Sequence, residues 1–135
     1  MAAFKLRPVM PLEHDIQSQI IAYLKVEVAR GRIGWFCRVN GGTRKIGNRW
    51  LATYRYWMPG NLNCERGYPD IHGMLGHKSA APGRYWALEI KRDRKQGESK
   101  EQAVFIAETR KHGGIAAVVS SFDEAKEALF GAETR

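Results

Sequence analysis

The segment "RYWALEIK", Arg84 to Lys91, constrains the fold more than any other stretch of the chain. Its aromatic and branched content predicts a β-strand. Alternate residues of a strand share a face, so Trp86, Leu88 and Ile90 point one way and Ala87, Glu89 and Lys91 the other. The first set can fill a core. The second carries two charges one position apart, and burying an unpaired carboxylate or ammonium is costly. Two arrangements answer this. The charges form a partly exposed pair on a sheet edge, or they face a metal ion and the group on which it acts.

The rest of the chain supplies the layers that such a strand needs. Residues 1–11 read as an arm ending at Pro11. A helix is predicted from Leu12 to Arg30, with Ile16, Ile20, Tyr23, Leu24 and Val28 on its apolar face and Gly31 as its C-cap. "GWFCRVN", Gly34 to Asn40, reads as a strand, "GGTRKIGN" as a turn or loop, and Arg49 to Trp57 as a second strand. Asp70 to Leu75 is a short strand, joined to Arg84–Lys91 by the hairpin connection "GHKSAAPG". A helix follows from Ser99 to about His112, with Ser99 and Gln102 spaced as a capping box. Gly114 to Ser120 is a buried strand, and a last helix runs from near Ser121 to Phe130. The order is α, several β, then α, β, α. It predicts an α/β fold, a central mixed sheet flanked by helices, in one domain over residues 12–135.

Several function classes become unattractive on composition. No run of the 135 residues approaches the length that spans a bilayer, and "MAAFKLRPVM" is too short and too interrupted by charge and proline for a secretory signal. An intracellular protein without a membrane partner is expected. Cys37 and Cys64 have no metal-ligand spacing, and His14, His72, His77 and His112 are scattered, so no zinc site is expected. The net charge of +8 points to a polyanionic partner. Its distribution is more telling: seven basic residues and no acidic one lie between Arg30 and Trp57, interleaved with Trp35, Phe36, Trp50, Tyr54, Tyr56 and Trp57. Basic groups neutralise phosphates and exposed rings stack on unpaired bases. The candidate nucleic-acid contacts are Arg38, Asn40, Arg44, Lys45, Arg49 and Arg55, with Arg92 and Lys95 after the charged strand.

Pro69 cannot donate to a ladder and suits a strand entrance, which places Asp70 at the start of its strand. If that strand pairs with Arg84–Lys91 as a hairpin, Asp70 lies near Glu89. Two adjacent carboxylates repel unless a cation sits between them. Mg²⁺ commonly takes one or two carboxylates while keeping waters and phosphate oxygens. Lys91 beside it would orient or help deprotonate a water. Glu13, at the entrance of the first helix, is a candidate third acid, although an acid there also suits the helix dipole. Asp15 competes for that role from another side of the helix.

These residues resemble the PD-(D/E)XK nuclease superfamily: Pro69–Asp70, then Glu89–Ile90–Lys91. The wider set, "EHDIQSQIIAYL", "WFCRVNGG", "GYPDIHG", "ALEIKR" and "SKEQAVFIAETRKHGGIAAVV", is similar to the VRR-NUC branch, the virus-type replication-repair nucleases, over about residues 12–130. The resemblance implies a restriction-endonuclease-like core and metal-dependent phosphodiester hydrolysis. Asp70 and Glu89 would hold Mg²⁺ or Mn²⁺, with the Ile90 carbonyl joining them and no small-molecule cofactor. Lys91 would position or activate the attacking water. Glu13 corresponds to the first-helix acid, binding metal through water or a second ion, and Gln102 to a glutamine near the site, where the capping box is its other reading. It further implies a cytoplasmic protein of a bacterium or phage-infected cell, a homodimer, and branched DNA such as Holliday junctions or flaps. The competing expectation is a non-catalytic basic module that binds nucleic acid, its carboxylates serving only the fold.

Overall fold

Helix α1, Glu13–Ala29, buries Ile16, Ile20 and Leu24 at four-residue steps, as its apolar spacing requires. The next buried position on that face is Glu27, fully enclosed, while Val28 is exposed. This corrects the expected apolar face. Glu27 is tolerated because two guanidinium groups reach it, Arg30 at 3.1 Å and Arg32 at 3.1 Å. Arg32 also lies 3.9 Å over the Phe130 ring. Two of the seven basic residues between Arg30 and Trp57 are thus paired with an acid of the fold, Arg32 half-buried and Arg30 from the surface.

A computed structural model describes residues 12–39, 43–52, 55–61, 66–93 and 97–131. After α1 come β1 (Ile33–Arg38), β2 (Thr43–Ile46), β3 (Arg49–Ala52), β4 (Ile71–Leu75) and β5 (Tyr85–Ile90). Then follow α2 (Lys100–Lys111), β6 (Ile115–Val119) and α3 (Phe122–Phe130). The main sheet has the order β1-β4-β5-β6. Strands β1, β4 and β5 are antiparallel neighbours, and β6 runs parallel to β5. A parallel partner requires a crossover, and α2 provides it. The α/β fold with a mixed sheet between helices agrees with the expectation. Two elements differ: "TRKI" within the expected loop is a strand, paired with β3 through a turn at Gly47 and Asn48 in a separate two-stranded sheet, and the strand expected over Arg49–Trp57 is β3 over Arg49–Ala52 only, with Arg55 and Trp57 outside any strand.

Helices α1 and α3 cover one face of the main sheet. Ile16, Ile20 and Leu24 meet Ile71, Leu75, Trp86, Leu88 and Ile90 there, and Leu129 and Phe130 close the layer. Trp86 fits only because Gly73 stands opposite it. A Cβ on Gly73 would lie 2.3 Å from the Trp35 carbonyl oxygen and 2.7 Å from the Trp86 ring. Helix α2 covers the other face, where Phe105 is buried. That is the face of Tyr85, Ala87 and Glu89. Among the described residues no helix is long and apolar enough to cross a membrane.

Candidate active site

The β4–β5 register pairs Ile71 with Leu88 and His72 with Ala87. One further step sets Asp70 opposite Glu89, on the α2 face of the sheet. The ladder stops there because Pro69 precedes Asp70. The Asp70 side chain takes over the ladder's role: its Oδ2 accepts from the Ile90 N–H at 2.7 Å. Its backbone carbonyl accepts from the Val39 N–H at 2.7 Å. Asp70 is therefore held from both neighbouring strands. Just upstream, Gly67 has φ +85°, and a Cβ there would lie 2.6 Å from that of Glu101, so the chain passes close against the first turn of α2.

Glu89 is buried. Its Oε1 accepts from Gln102 Nε2 at 2.8 Å and lies 3.6 Å from Lys91 Nζ. Its Oε2 is buried with no donor on it. Beside it stands the Asp70 carboxyl, with which it can share a proton. Burial first, and the Asp70 charge second, push the Glu89 carboxyl up to about 8, against the pull of Lys91. Burial also raises Asp70, while the Ile90 N–H, Glu89, Lys91 and Arg38 pull it back. Without a cation the two acids hold one proton between them near neutral pH.

Gln102 serves both of its readings at once. Its Oε1 accepts from the Ser99 N–H at 3.0 Å, and its own N–H donates to Ser99 Oγ at 3.1 Å, a complete capping box. With the oxygen committed to the cap, the amide nitrogen is what remains to face Glu89. Ile90 enters through its N–H. Glu13 is exposed on the first turn of α1. Among the described residues no three His, Cys, Asp or Glu side chains gather as a metal-holding group, so Asp70 and Glu89 stand as a pair.

Of the candidate nucleic-acid contacts, Arg38 ends β1 beside the site, near enough for its charge to act on Asp70. Arg49, Arg55 and Arg92 are exposed. Arg44 and Lys45 are placed by backbone alone, on β2, and Asn40 and Lys95 lie outside the described residues. One group escaped the sequence reading. Tyr68 Oη lies 2.7 Å from His72 Nδ1 and 3.1 Å from Tyr85 Oη. The Tyr68 ring also packs against Phe105 and Tyr56. Burial lowers the His72 pKa, favouring the neutral imidazole, and the cluster ties the segment before Asp70 to the sheet. The signal available was parity: His72 and Tyr85 sit two and four positions from Asp70 and Glu89, on the same face. No protein-family model, no curated protein and no solved structure matches this chain at a significant level.

Proposed function

We propose that the chain is a metal-dependent DNA endonuclease that hydrolyses phosphodiester bonds. One observation carries the reading: the buried Glu89 carboxyl and the half-buried Asp70 carboxyl share a site in which an oxygen of Glu89 lacks a donor, with Lys91 Nζ 3.6 Å from the other oxygen. A cation is what that arrangement fits, since it would take the undonated oxygen and relieve the repulsion of the pair. Support comes also from the motifs that resemble those of the VRR-NUC nucleases and from the strand order around them. Within the α1-β1-β4-β5-α2-β6 succession, the acids sit where β4 begins and β5 ends, as a restriction-endonuclease-like core would have it.

Asp70 and Glu89 would hold Mg²⁺ or Mn²⁺, with the Ile90 carbonyl as a further oxygen and Glu13 acting through water. The ion supplies Lewis acidity toward phosphate and lowers the pKa of bound water. The chain's own residues do the rest. Gln102 fixes the Glu89 carboxylate by donating to one oxygen. Lys91 hydrogen-bonds the attacking water and aims it at phosphorus. Arg38, with Arg49, Arg55 and Arg92, receives the DNA backbone. A cleft of about 880 Å³ that Lys91 also lines carries Asp93, Glu98, Asp123, Glu124 and Glu127, an acidic wall less suited to phosphate than the arginines. A structure-selective role on branched DNA, in a cytoplasmic homodimer with one site per chain, completes the proposal.

The test is cleavage of end-labelled four-way junction, flap, nicked and linear duplex DNA in Mg²⁺, Mn²⁺ and EDTA. Metal-dependent cutting that disappears in a folded Asp70→Ala variant is expected. Binding without cutting under every condition overturns the nuclease reading and leaves a basic binding module in its place.

A further inference from the structure

At the far end of α2 and β5 from the acids, a cleft of about 370 Å³ is lined by Trp57, Met58, Tyr85, Glu108, Thr109 and His112, among others. Its size falls in the range of small-ligand sites. Glu108 lies six residues beyond Gln102, about 9 Å along the helix. Tyr85 lies four residues before Glu89, about 13 Å along the strand. Tyr85 and Glu89 share the α2 face by parity. Acids and cleft are therefore two stations on one face, separated by about three to four stacked base steps.

Two features of the cleft ask for a particular ligand. Trp57 is 67% exposed, which leaves an indole surface for stacking. Glu108 Oε2 is buried and accepts no hydrogen bond. His112 Nε2 stands 3.5 Å from it, charged only when protonated, on a largely exposed side chain. A buried carboxylate oxygen without a donor is costly, and a ligand that brings N–H groups relieves that cost. We infer that this cleft receives one unpaired nucleobase of the bound DNA, guanine before the others, stacked on Trp57 and donating to Glu108. The inference rests on the DNA-binding part of the function proposed above.

Guanine is selected by its Watson–Crick edge. That edge carries two adjacent donors, N1–H and the 2-amino group, which match a carboxylate. Adenine and cytosine set a ring-nitrogen acceptor beside their amino group, and thymine flanks its single N–H with carbonyls. Each of these brings an acceptor against Glu108. In a duplex the same edge is occupied by the partner base, so the cleft can read only a base that is out of pair. It would thus favour junctions, flaps and single strands over linear duplex.

The experiment measures binding by fluorescence anisotropy of short labelled single strands in EDTA, so that no cleavage intervenes. The strands are an oligothymidylate and the same strand with one central guanine, adenine or cytosine. The full chain should bind the guanine strand about tenfold more tightly than the oligothymidylate. Trp57→Ala should weaken binding to all strands by about tenfold. Glu108→Gln should bring the guanine-to-thymine ratio close to one. The ratio is the decisive readout, because losing a negative charge alone strengthens binding to every strand alike. Absence of guanine preference in the wild-type chain, or an unchanged ratio in Glu108→Gln, overturns the inference. Junction cleavage in Mg²⁺, run in parallel, separates the two proposals: cutting without guanine preference sinks the cleft alone, and guanine preference without cutting sinks the nuclease and retains the cleft.

Discussion

Replacing Glu89 by Gln keeps the side chain's shape and removes the charge that its surroundings resist. The Glu89 carboxyl is pushed from 4.5 up to about 8. At about 1.4 kcal/mol per pH unit, ionising it in the fold costs about 3–5 kcal/mol, the lower figure allowing for its coupling to Asp70. The side chain is 9% exposed, so solvent screens little of this. The sign follows from proton counts. Above pH 4.5 the unfolded chain has lost the proton that the native state keeps until about 8, so stability falls as pH rises. The contribution is fully present below pH 4.5 and lost as pH passes through 8. Urea unfolding in EDTA, followed by tryptophan fluorescence with buried Trp86 as a reporter, should show wild type losing up to about 1.4 kcal/mol per pH unit across that window relative to Glu89→Gln. At pH 9 the variant should be the more stable by about 3 kcal/mol. If the pair holds metal as proposed, added Mg²⁺ should flatten the wild-type profile and leave the variant's nearly unmoved, because the ion would bind the ionised pair. Parallel pH profiles for the two proteins would refute the shared-proton site.

Two further perturbations separate fold from site. Ser99→Ala removes a cap and should cost about 1 kcal/mol of stability while leaving kcat nearly unchanged. Gln102→Leu removes the acceptor of the Ser99 N–H, the side-chain half of the capping box, together with the hold on Glu89, and should lower kcat for junction cleavage by about tenfold, a loss of about 1.4 kcal/mol. Equal kcat in the two variants would show that Gln102 acts only on the helix. Glu27→Ala takes the acid from half-buried Arg32 and largely exposed Arg30 and should destabilise the protein by about 1–3 kcal/mol in urea, with cleavage per folded molecule unchanged. A loss below about 1 kcal/mol would show that the buried pair contributes nothing net.

The elements that were legible in the sequence are those with a buried face. Alternation in Tyr85–Ile90 and the four-residue steps of Ile16, Ile20 and Leu24 record the core directly. Once β4 and β5 are joined as a hairpin, parity alone brings Asp70 to Glu89. The β2–β3 hairpin was not legible on those terms. Thr43, Arg44 and Lys45 stand in succession with no apolar residue among them, so β2 carries no apolar–polar alternation to read, and Ile46 and Arg49, on either side of the turn, are exposed. The available sign was the Gly47–Asn48 pair between two short segments, overshadowed by Gly41–Gly42 just before it. Glu27 failed for the opposite reason. Its position marked it as buried, its chemistry as exposed, and the position prevailed because Arg30 and Arg32 follow three and five residues later.

Gln102 shows why a local rule can decide site chemistry. Read from sequence, a capping glutamine and an active-site glutamine are rival assignments, since each explains the residue alone. A side-chain amide, however, has two unlike ends. The Ser99 N–H requires an acceptor, which commits the oxygen to the helix terminus. The nitrogen must then point away from it, and Glu89 lies there, 2.8 Å from the donor. A glutamate at this position would satisfy the same cap and present a second carboxylate oxygen to Glu89, adding a second negative charge to a pair that shares a proton to carry only one. The start of α2 thus selects glutamine over glutamate, and in doing so turns one oxygen of Glu89 toward a fixed donor and leaves the other beside Asp70.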